Sequence, residues 1–130
     1  MPIQILGISW LGTRTGSFSE MRKFYEEMVG LEPVNEERDF VIYQLLDGDT
    51  IELFGPSDVE HRHFTTGPVA GFRVADVEAA RRTLEQSGIE FFGEVKGNRD
   101  GYQWSHFRAP DGNVYELAGV DPTRHRSQPD

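Results

Sequence analysis

Two glutamates recur in matching surroundings in the two halves of the sequence. Glu52 and Glu116 each follow an Asp-Gly turn signal at the same spacing, and each precedes a leucine, with 64 positions between the pair. Two carboxyl groups brought together in a partly apolar cavity repel each other and lose hydration. At least one pKa then rises, and the pair supplies both an acid and a base. Glu52 and Glu116 are therefore the candidate catalytic residues; the alternative is that both are simply solvated in an open cleft.

Two arginines also occupy matching positions. Arg14 and Arg73 lie 59 positions apart, and the nearby Gly12 and Gly71 repeat with the same offset. A guanidinium group is planar and binds a carboxylate or phosphate through two parallel hydrogen bonds. The two arginines thus form a candidate clamp for an anionic ligand. Internal ion pairs with Glu52 and Glu116 are the alternative.

Aromatic residues at alternate strand positions complete the candidate ligand-binding set. Small-molecule pockets are mostly apolar with a few fixed polar groups. The expected ligand-binding residues, apart from the two arginines, are Trp10, Phe54, Tyr102, Trp104 and His106. Packing at a dimer interface is the alternative explanation for the aromatic ones. His61 and His63 lie in a polar segment, where we expect a solvated loop rather than a metal-binding pair.

The hydrophobic pattern predicts the elements that carry these residues. Strands are expected at 4–13, 31–34, 40–46, 50–54, 69–74, 89–95, 102–108 and 114–119. One helix follows Ser17, in a capping box with Glu20, and ends at Gly30; a second follows the N-cap Asp76 and ends at Gly88. Both halves therefore have the order βαβββ. The predicted fold is α+β, with two tandem modules forming a curved mixed sheet around a central cleft.

Domain boundaries follow from this repeat. We expect a single domain over 1–130, with a first module at 3–56, a linker at 57–68, a second module at 69–119 and a flexible tail at 121–130. Because side chains alternate along a strand, leucines that face a helix leave the adjoining glutamates on the cleft side. Tyr43 and Phe107, also 64 positions apart, are expected in the two cores.

Composition limits the classes of partner. The 130 residues carry 13 Lys+Arg against 22 Asp+Glu, a formal net charge of −9, and no cysteine. Nucleic acid is disfavoured because the basic residues are scattered and phosphate contacts dominate such binding. A disulfide framework, a thiolate metal site and a cysteine nucleophile are excluded. No apolar run approaches the roughly 20 residues that cross a bilayer, so we expect no membrane partner and a cytoplasmic protein.

Three stretches resemble the vicinal oxygen chelate superfamily, which includes glyoxalase I, bleomycin-resistance proteins and extradiol dioxygenases. They are Phe24-Tyr25 followed by Gly30-Leu31; Phe72-Arg73-Val74-x-Asp76-Val77-Glu78-Ala79-Ala80; and Ala109-Pro110-Asp111-Gly112-Asn113-Val114-Tyr115-Glu116-Leu117. The last departs from the family's Asp-Pro-Asp-Gly-Asn turn at Ala109. The resemblance covers about residues 3 to 119 and implies a fold more strongly than an activity.

The resemblance also implies a metal site that this sequence only half retains. The four positions that bind a divalent ion in metal-dependent members correspond to Trp10, Glu52, Val69 and Glu116, and tryptophan and valine are not ligands. No cofactor is expected, although a divalent metal is possible on Glu52, Glu116 and His106. Arg14 matches an arginine that grips the anionic thiol cosubstrate of glyoxalase I.

Three functions follow from the resemblance and the residues. The first is a glyoxalase- or bleomycin-resistance-like protein that binds a small organic molecule in the cleft without the usual metal. The second is a metal-dependent lyase, isomerase or dioxygenase that uses Glu52 and Glu116. The third is a metal-free enzyme with a glutamate as proton-transfer base. The resemblance further implies a homodimer whose second chain completes the cleft.

Overall fold

The computed structural model describes residues 2–123, and the chain forms two compact units. The amino-terminal unit comprises Trp10–Val69, and the carboxy-terminal unit comprises the segments up to Ser9 and from Ala70 onward. The segment before Trp10, which the sequence predicts in the first module, is therefore grouped with the second. Leu6 N–H donates to the carbonyl of Arg73 at 2.8 Å, which ties this segment to its unit.

Eight strands and two helices are found in the described residues, and they confirm the α+β class. They are β1 Gly7–Arg14, α1 Phe18–Lys23 with a π-helical continuation Phe24–Val29, β2 Pro33–Glu37, β3 Phe40–Gln44, β4 Thr50–Phe54, β5 Val69–Arg73, α2 Val77–Gln86, β6 Glu90–Gly97, β7 Tyr102–Arg108 and β8 Val114–Val120. No helix within residues 2–123 combines the length and apolar character needed to span a membrane.

In the amino-terminal unit the strands lie in the order β2-β3-β4-β1. β3 pairs antiparallel with β2 and with β4, and β1 pairs parallel with β4. α1 and its π-helical continuation pack on one face, where Tyr25 joins Val41, Tyr43 and Leu53 in a buried core. The core position of Tyr43 is confirmed, and Glu52 and Phe54 consequently face the other side of the sheet.

The carboxy-terminal unit has the equivalent order β5-β8-β7-β6, again with one parallel and two antiparallel pairs. α2 covers one face through a core of five buried side chains, Val74, Val77, Ala80, Phe107 and Leu117. The strands of both units belong to one eight-stranded sheet, and its mixed pairing agrees with the prediction. The duplication of one module and the cleft between the two modules stay predictions.

The pairing registers of the two units correspond residue by residue. Gly12 on β1 lies opposite Glu52 on β4, and Gly71 on β5 lies opposite Glu116 on β8. These pairs reproduce the separations of 59 and 64 positions found in the sequence. In both units, therefore, the glutamate has a glycine as its neighbour on the parallel strand.

The helix ends agree with the sequence at three of four points. The Asp76 carboxylate accepts from Ala79 N–H at 3.0 Å, and Gly30 and Gly88 have φ values of 88° and 92° at the helix ends. The capping box at Ser17 is wrong, because its side chain makes no cap hydrogen bond. Instead, Ser17 N–H donates to the Thr15 hydroxyl at 2.9 Å.

Several element limits also differ from those predicted. Leu31 does not begin β2, because its N–H donates to the carbonyl of Tyr25 and closes the preceding helix. β1 begins at Gly7 rather than Gln4. Of the predicted tail 121–130, only 121–123 are described; Asp121 N–H donates to the Gly101 carbonyl at 2.6 Å. The rest lies outside the described residues.

Candidate functional site

The carboxy-terminal unit brings Glu116 and His106 together on the sheet face opposite α2. The two residues are directly paired on β8 and β7, and His106 Nε2 lies 3.0 Å from Glu116 Oε1. The neighbouring residues Tyr115 and Leu117 pack towards α2, so alternation directs Glu116 to the open face. Glu116 is 4% exposed and His106 is 8% exposed. A polar pair is thus held in a largely dry environment.

Burial controls the protonation of this pair. Loss of hydration raises the pKa of the Glu116 carboxyl well above its usual value. A neutral carboxyl donates its O–H to unprotonated Nε2, whereas a carboxylate accepts from an Nε2–H. In both forms one proton lies between the two side chains. The shared proton can reside on either residue, so the pair has the chemistry of an acid or of a base.

Aromatic and cationic side chains extend the same face along β7. Tyr102, Trp104, His106 and Arg108 alternate with core-facing residues, as predicted from the position of Phe107. The Tyr102 and Trp104 rings lie 6.1 Å apart at an angle of 35°. Arg108 lies over the ring of Phe92 at 5.0 Å and donates to the Gly112 carbonyl at 2.8 Å. The face therefore has a flat apolar wall beside its polar pair.

The parallel strand beside Glu116 leaves room on this face. Gly71 is the residue opposite Glu116, so no side chain from β5 stands directly beside the carboxyl group. Arg73, two residues further along β5 and on the same face as Gly71, is exposed. Its guanidinium lies against Gly7, where a Cβ would approach Nη2 to 2.8 Å. A side chain at Gly7 would displace Arg73.

The predicted aromatic residues of the amino-terminal unit, Trp10 and Phe54, are covered by other residues of the same unit. The Trp10 indole lies across Gly12 and contacts Phe54 and Phe64, with ring centroids 6.4 Å and 6.1 Å apart. Trp10 is 6% exposed and Phe54 is 1% exposed. Glu52, on the same face of β4, is half-buried. Their ligand-binding role stays a prediction, and in this conformation both rings are covered.

The segment after β4 supplies this cover. Arg14 donates from Nε to the Asp58 carbonyl at 3.1 Å and from Nη2 to the Pro56 carbonyl at 3.3 Å. These two hydrogen bonds hold the segment in place. His61 stacks on Phe54 with ring centroids 3.8 Å apart.

The expectation of a solvated loop at His61 is wrong. Its Nδ1 lies 3.1 Å from each oxygen of the Asp58 carboxylate, and its side chain is 18% exposed. Phe64, which the sequence analysis did not single out, is 4% exposed. Its aromatic type within a polar stretch was the available signal, since a segment without regular secondary structure offers no periodicity to interpret.

The donor set does not match the metal site that the resemblance implies. Two of its four positions are Trp10 and Val69, which have no lone pair suited to a cation and are both buried. Within residues 2–123 there is no group of three or more histidines or carboxylates arranged to hold a metal ion. Glu52 and Glu116 are still present, but the four residues together do not fit a divalent metal ion.

Solved structures share this fold at low sequence identity. A glyoxalase/bleomycin resistance protein/dioxygenase superfamily member from Vibrio splendidus 12B01 is 20% identical, with a TM-score of 0.65 over 84% of this chain and 95% of that chain. Methylmalonyl-CoA epimerase from Mycobacterium tuberculosis is 19% identical, with a TM-score of 0.65 over 94% of this chain and 93% of that chain. The Mn(II)-bound glyoxalase from Novosphingobium aromaticivorans is 21% identical, with a TM-score of 0.71 over 92% of this chain and 40% of that chain.

A search of curated protein sequences finds no match. The family model described as Glyoxalase/Bleomycin resistance protein/Dioxygenase superfamily matches residues 7–117, most of the chain. The matched range includes both glutamates and runs from the start of β1 into β8. The chain belongs to the glyoxalase/bleomycin resistance protein/dioxygenase superfamily.

Proposed function

We propose that this protein binds a small organic molecule on the open face of the carboxy-terminal unit, without the metal typical of the family. The observation that carries the proposal is the buried hydrogen bond between His106 Nε2 and Glu116 Oε1, 3.0 Å long, beside the Trp104 and Tyr102 rings. Ligand pockets combine such apolar walls with a few fixed polar groups. The absence of metal-coordinating side chains at positions 10 and 69, where Trp10 and Val69 stand, supports binding without a metal.

The arrangement favours a planar ligand with one polar edge. Trp104 and Tyr102 offer flat apolar surface, and stacking on it leaves the ligand edge near the Glu116–His106 pair. Arg73, exposed at the end of β5, adds positive charge to this edge of the face, which favours an anionic substituent. Binding of this kind serves sequestration as well as catalysis, so whether the protein is an enzyme depends on what the pair does to the bound molecule.

A ligand screen by thermal unfolding tests this proposal. Planar aromatic compounds should raise the melting temperature in the presence of EDTA, and the shift should shrink in the Trp104→Leu and Glu116→Gln variants. Glu90→Gln, an exposed carboxylate on β6, is the matched control and should respond as the unaltered protein does. If divalent metals stabilise the protein while no planar compound does, the proposal fails.

A metal-dependent lyase, isomerase or dioxygenase is the second candidate function. The contact between His106 and Glu116 supports it, because an imidazole and a carboxylate side by side are two potential metal ligands. Elemental analysis of the untagged protein decides between the two candidates. Stoichiometric metal that is lost in the Glu116→Ala variant favours this one; metal below stoichiometry that is unaffected by the substitution rejects it.

The proposal extends to assembly and location. A homodimer in the cytoplasm is expected, with the second chain covering part of the ligand-binding face. Light scattering coupled to size-exclusion chromatography measures the mass in solution. A mass of one chain at the concentrations used for ligand binding would reject the shared site.

A further inference from the structure

A depression of about 370 Å3 lies in the carboxy-terminal unit, on the side of the sheet that carries α2. It forms where β6 bulges away from β7: β6 advances four residues, from Phe92 to Lys96, while β7 advances two, from His106 to Trp104. Gly93, with φ of 67°, permits the bend. The depression is thus separate from the face that holds Glu116.

Charges of both signs line this depression. They are Glu78 and Arg81 from α2 and Glu94 and Lys96 from β6, together with the amide of Gln103 from β7. Within residues 2–123, neither Glu94 nor Lys96 takes part in an ion pair, and Glu78 bonds only to the Gln103 amide, at 3.4 Å. Glu78, Glu94 and Lys96 are therefore not ion-paired with one another, whereas Arg81 forms an ion pair with Glu85, which lies outside the lining.

Arg81 lines the depression and is held in place by three contacts. Its Nη1 donates to the Ser105 hydroxyl at 3.1 Å, its Nε donates to Glu85 at 3.1 Å, and its guanidinium lies 4.8 Å from the Phe91 ring centroid. Ser105 is 1% exposed, so one anchor of the guanidinium is a buried hydroxyl. These contacts use two of its five N–H groups. The other three have no hydrogen-bond partner within residues 2–123, so they can donate to an anion with little further loss of side-chain freedom.

We propose that this depression binds a small zwitterion, an α-amino acid, with its carboxylate at Arg81 and Lys96 and its ammonium group at Glu78 and Glu94. Two cations and two carboxylates around one space match a ligand that carries one charge of each sign. The volume falls in the range of about 300–1,000 Å3 typical of small-molecule sites. Val95 adds an apolar contact beside the charges.

An NMR titration of the full, isotopically labelled chain tests this proposal, with L-glutamine as the probe. Saturable shifts are expected at the backbone amides of α2 around Arg81 and of β6 from Glu94 to Gly97. Acetate and methylammonium, which carry one charge each, should not reproduce them at the same concentration. Equal effects from acetate alone, shifts confined to the face of Glu116, or the absence of saturation would each overturn the zwitterion site.

Single-charge variants connect the signal to the residues. Lys96→Gln and Glu94→Gln lie at exposed positions and should each raise the dissociation constant roughly tenfold or more, as expected for loss of a charged hydrogen-bond partner. Arg82→Gln on α2 and Glu90→Gln on β6 lie outside the lining and should leave the constant unchanged. An unchanged constant in both Lys96→Gln and Glu94→Gln would reject the proposal, whether or not an Arg81 variant folds.

Discussion

His106 and Glu116 lie side by side on neighbouring antiparallel strands, with 3.0 Å between Nε2 and Oε1, and both side chains are buried. Each satisfies a polar atom of the other in a place that water barely reaches. The pair therefore links stability to the chemistry of the proposed site, and its two members can be tested separately and together.

Stability should depend on pH through Glu116. Because its pKa in the folded chain is raised by burial, the folded state retains a proton that the unfolded state has lost, and stability falls as pH rises through that interval. Glu116→Gln removes the titrating carboxyl group and with it this pH dependence. The variant should therefore gain stability relative to the unaltered protein between about pH 4.5 and the raised pKa. Urea unfolding at a series of pH values measures the difference.

The control for this prediction is Glu90→Gln, which removes an exposed carboxylate from the edge strand β6. Its free energy of unfolding should run parallel to that of the unaltered protein as pH changes. A constant difference between Glu116→Gln and the unaltered protein at every pH would contradict the raised pKa.

Removing one member of the pair should cost more than removing both. His106→Leu leaves the buried Glu116 carboxyl without its partner, at an expected cost of about 1–3 kcal/mol. The double variant His106→Leu with Glu116→Leu removes both polar groups and should recover much of that loss. Denaturant unfolding of the unaltered protein, His106→Leu, Glu116→Leu and the double variant completes a double-mutant cycle. Strictly additive losses would mean that the observed hydrogen bond has no net coupling.

A polar network anchors the π-helical segment to β3. The Tyr43 hydroxyl donates to Glu26 Oε2 at 2.7 Å, and Arg22 Nε donates to the same oxygen at 2.7 Å. These bonds, first that from Arg22, lower the pKa of Glu26. Stability from this group is present above the usual carboxyl pKa and is lost as pH falls through the lowered value.

Tyr43→Phe should therefore destabilise the protein by about 0.5–1.5 kcal/mol at neutral pH, and by less in acid. Tyr25→Phe is the matched control, since the Tyr25 hydroxyl makes no hydrogen bond within the described residues although its ring is buried. Equal losses in the two variants, or a loss in Tyr43→Phe that does not vary with pH, would show that the network contributes only packing.

The site on the open face could be predicted because strand alternation is a strict geometric rule. Once Phe107 and Leu117 are placed in the core, His106 and Glu116 must share the opposite face, and the structure has them there. The spacing of the repeat likewise predicts which glycine lies opposite which glutamate. These conclusions depend on the alternation of side chains along a strand and on the spacing of the repeat, and both can be obtained from a single sequence.

Other features depend on tertiary contacts that no local pattern encodes. His61 and Phe64 cover Trp10 and Phe54 from a segment without regular secondary structure. The β6 bulge shifts register inside an otherwise regular strand, and the first helix changes to π-helical geometry at Phe24. The cover over Trp10 and Phe54 comes from residues far along the chain, and the bulge and the π-helical turn interrupt regular elements, so hydrophobic periodicity alone does not reveal these features.

Gly12 should tolerate no side chain, because the Trp10 indole lies where a Cβ would stand. Gly12→Ala must displace a ring that is packed against Phe54 and Phe64, and overpacking of this kind costs about 1–3 kcal/mol. Tryptophan fluorescence should shift to longer wavelength as the indole becomes more exposed. Gly16→Ala is the matched control, since nothing lies within 4 Å of its Cβ position. If Gly12→Ala is as stable and as blue in its emission as Gly16→Ala, the ring does not occupy that space in solution.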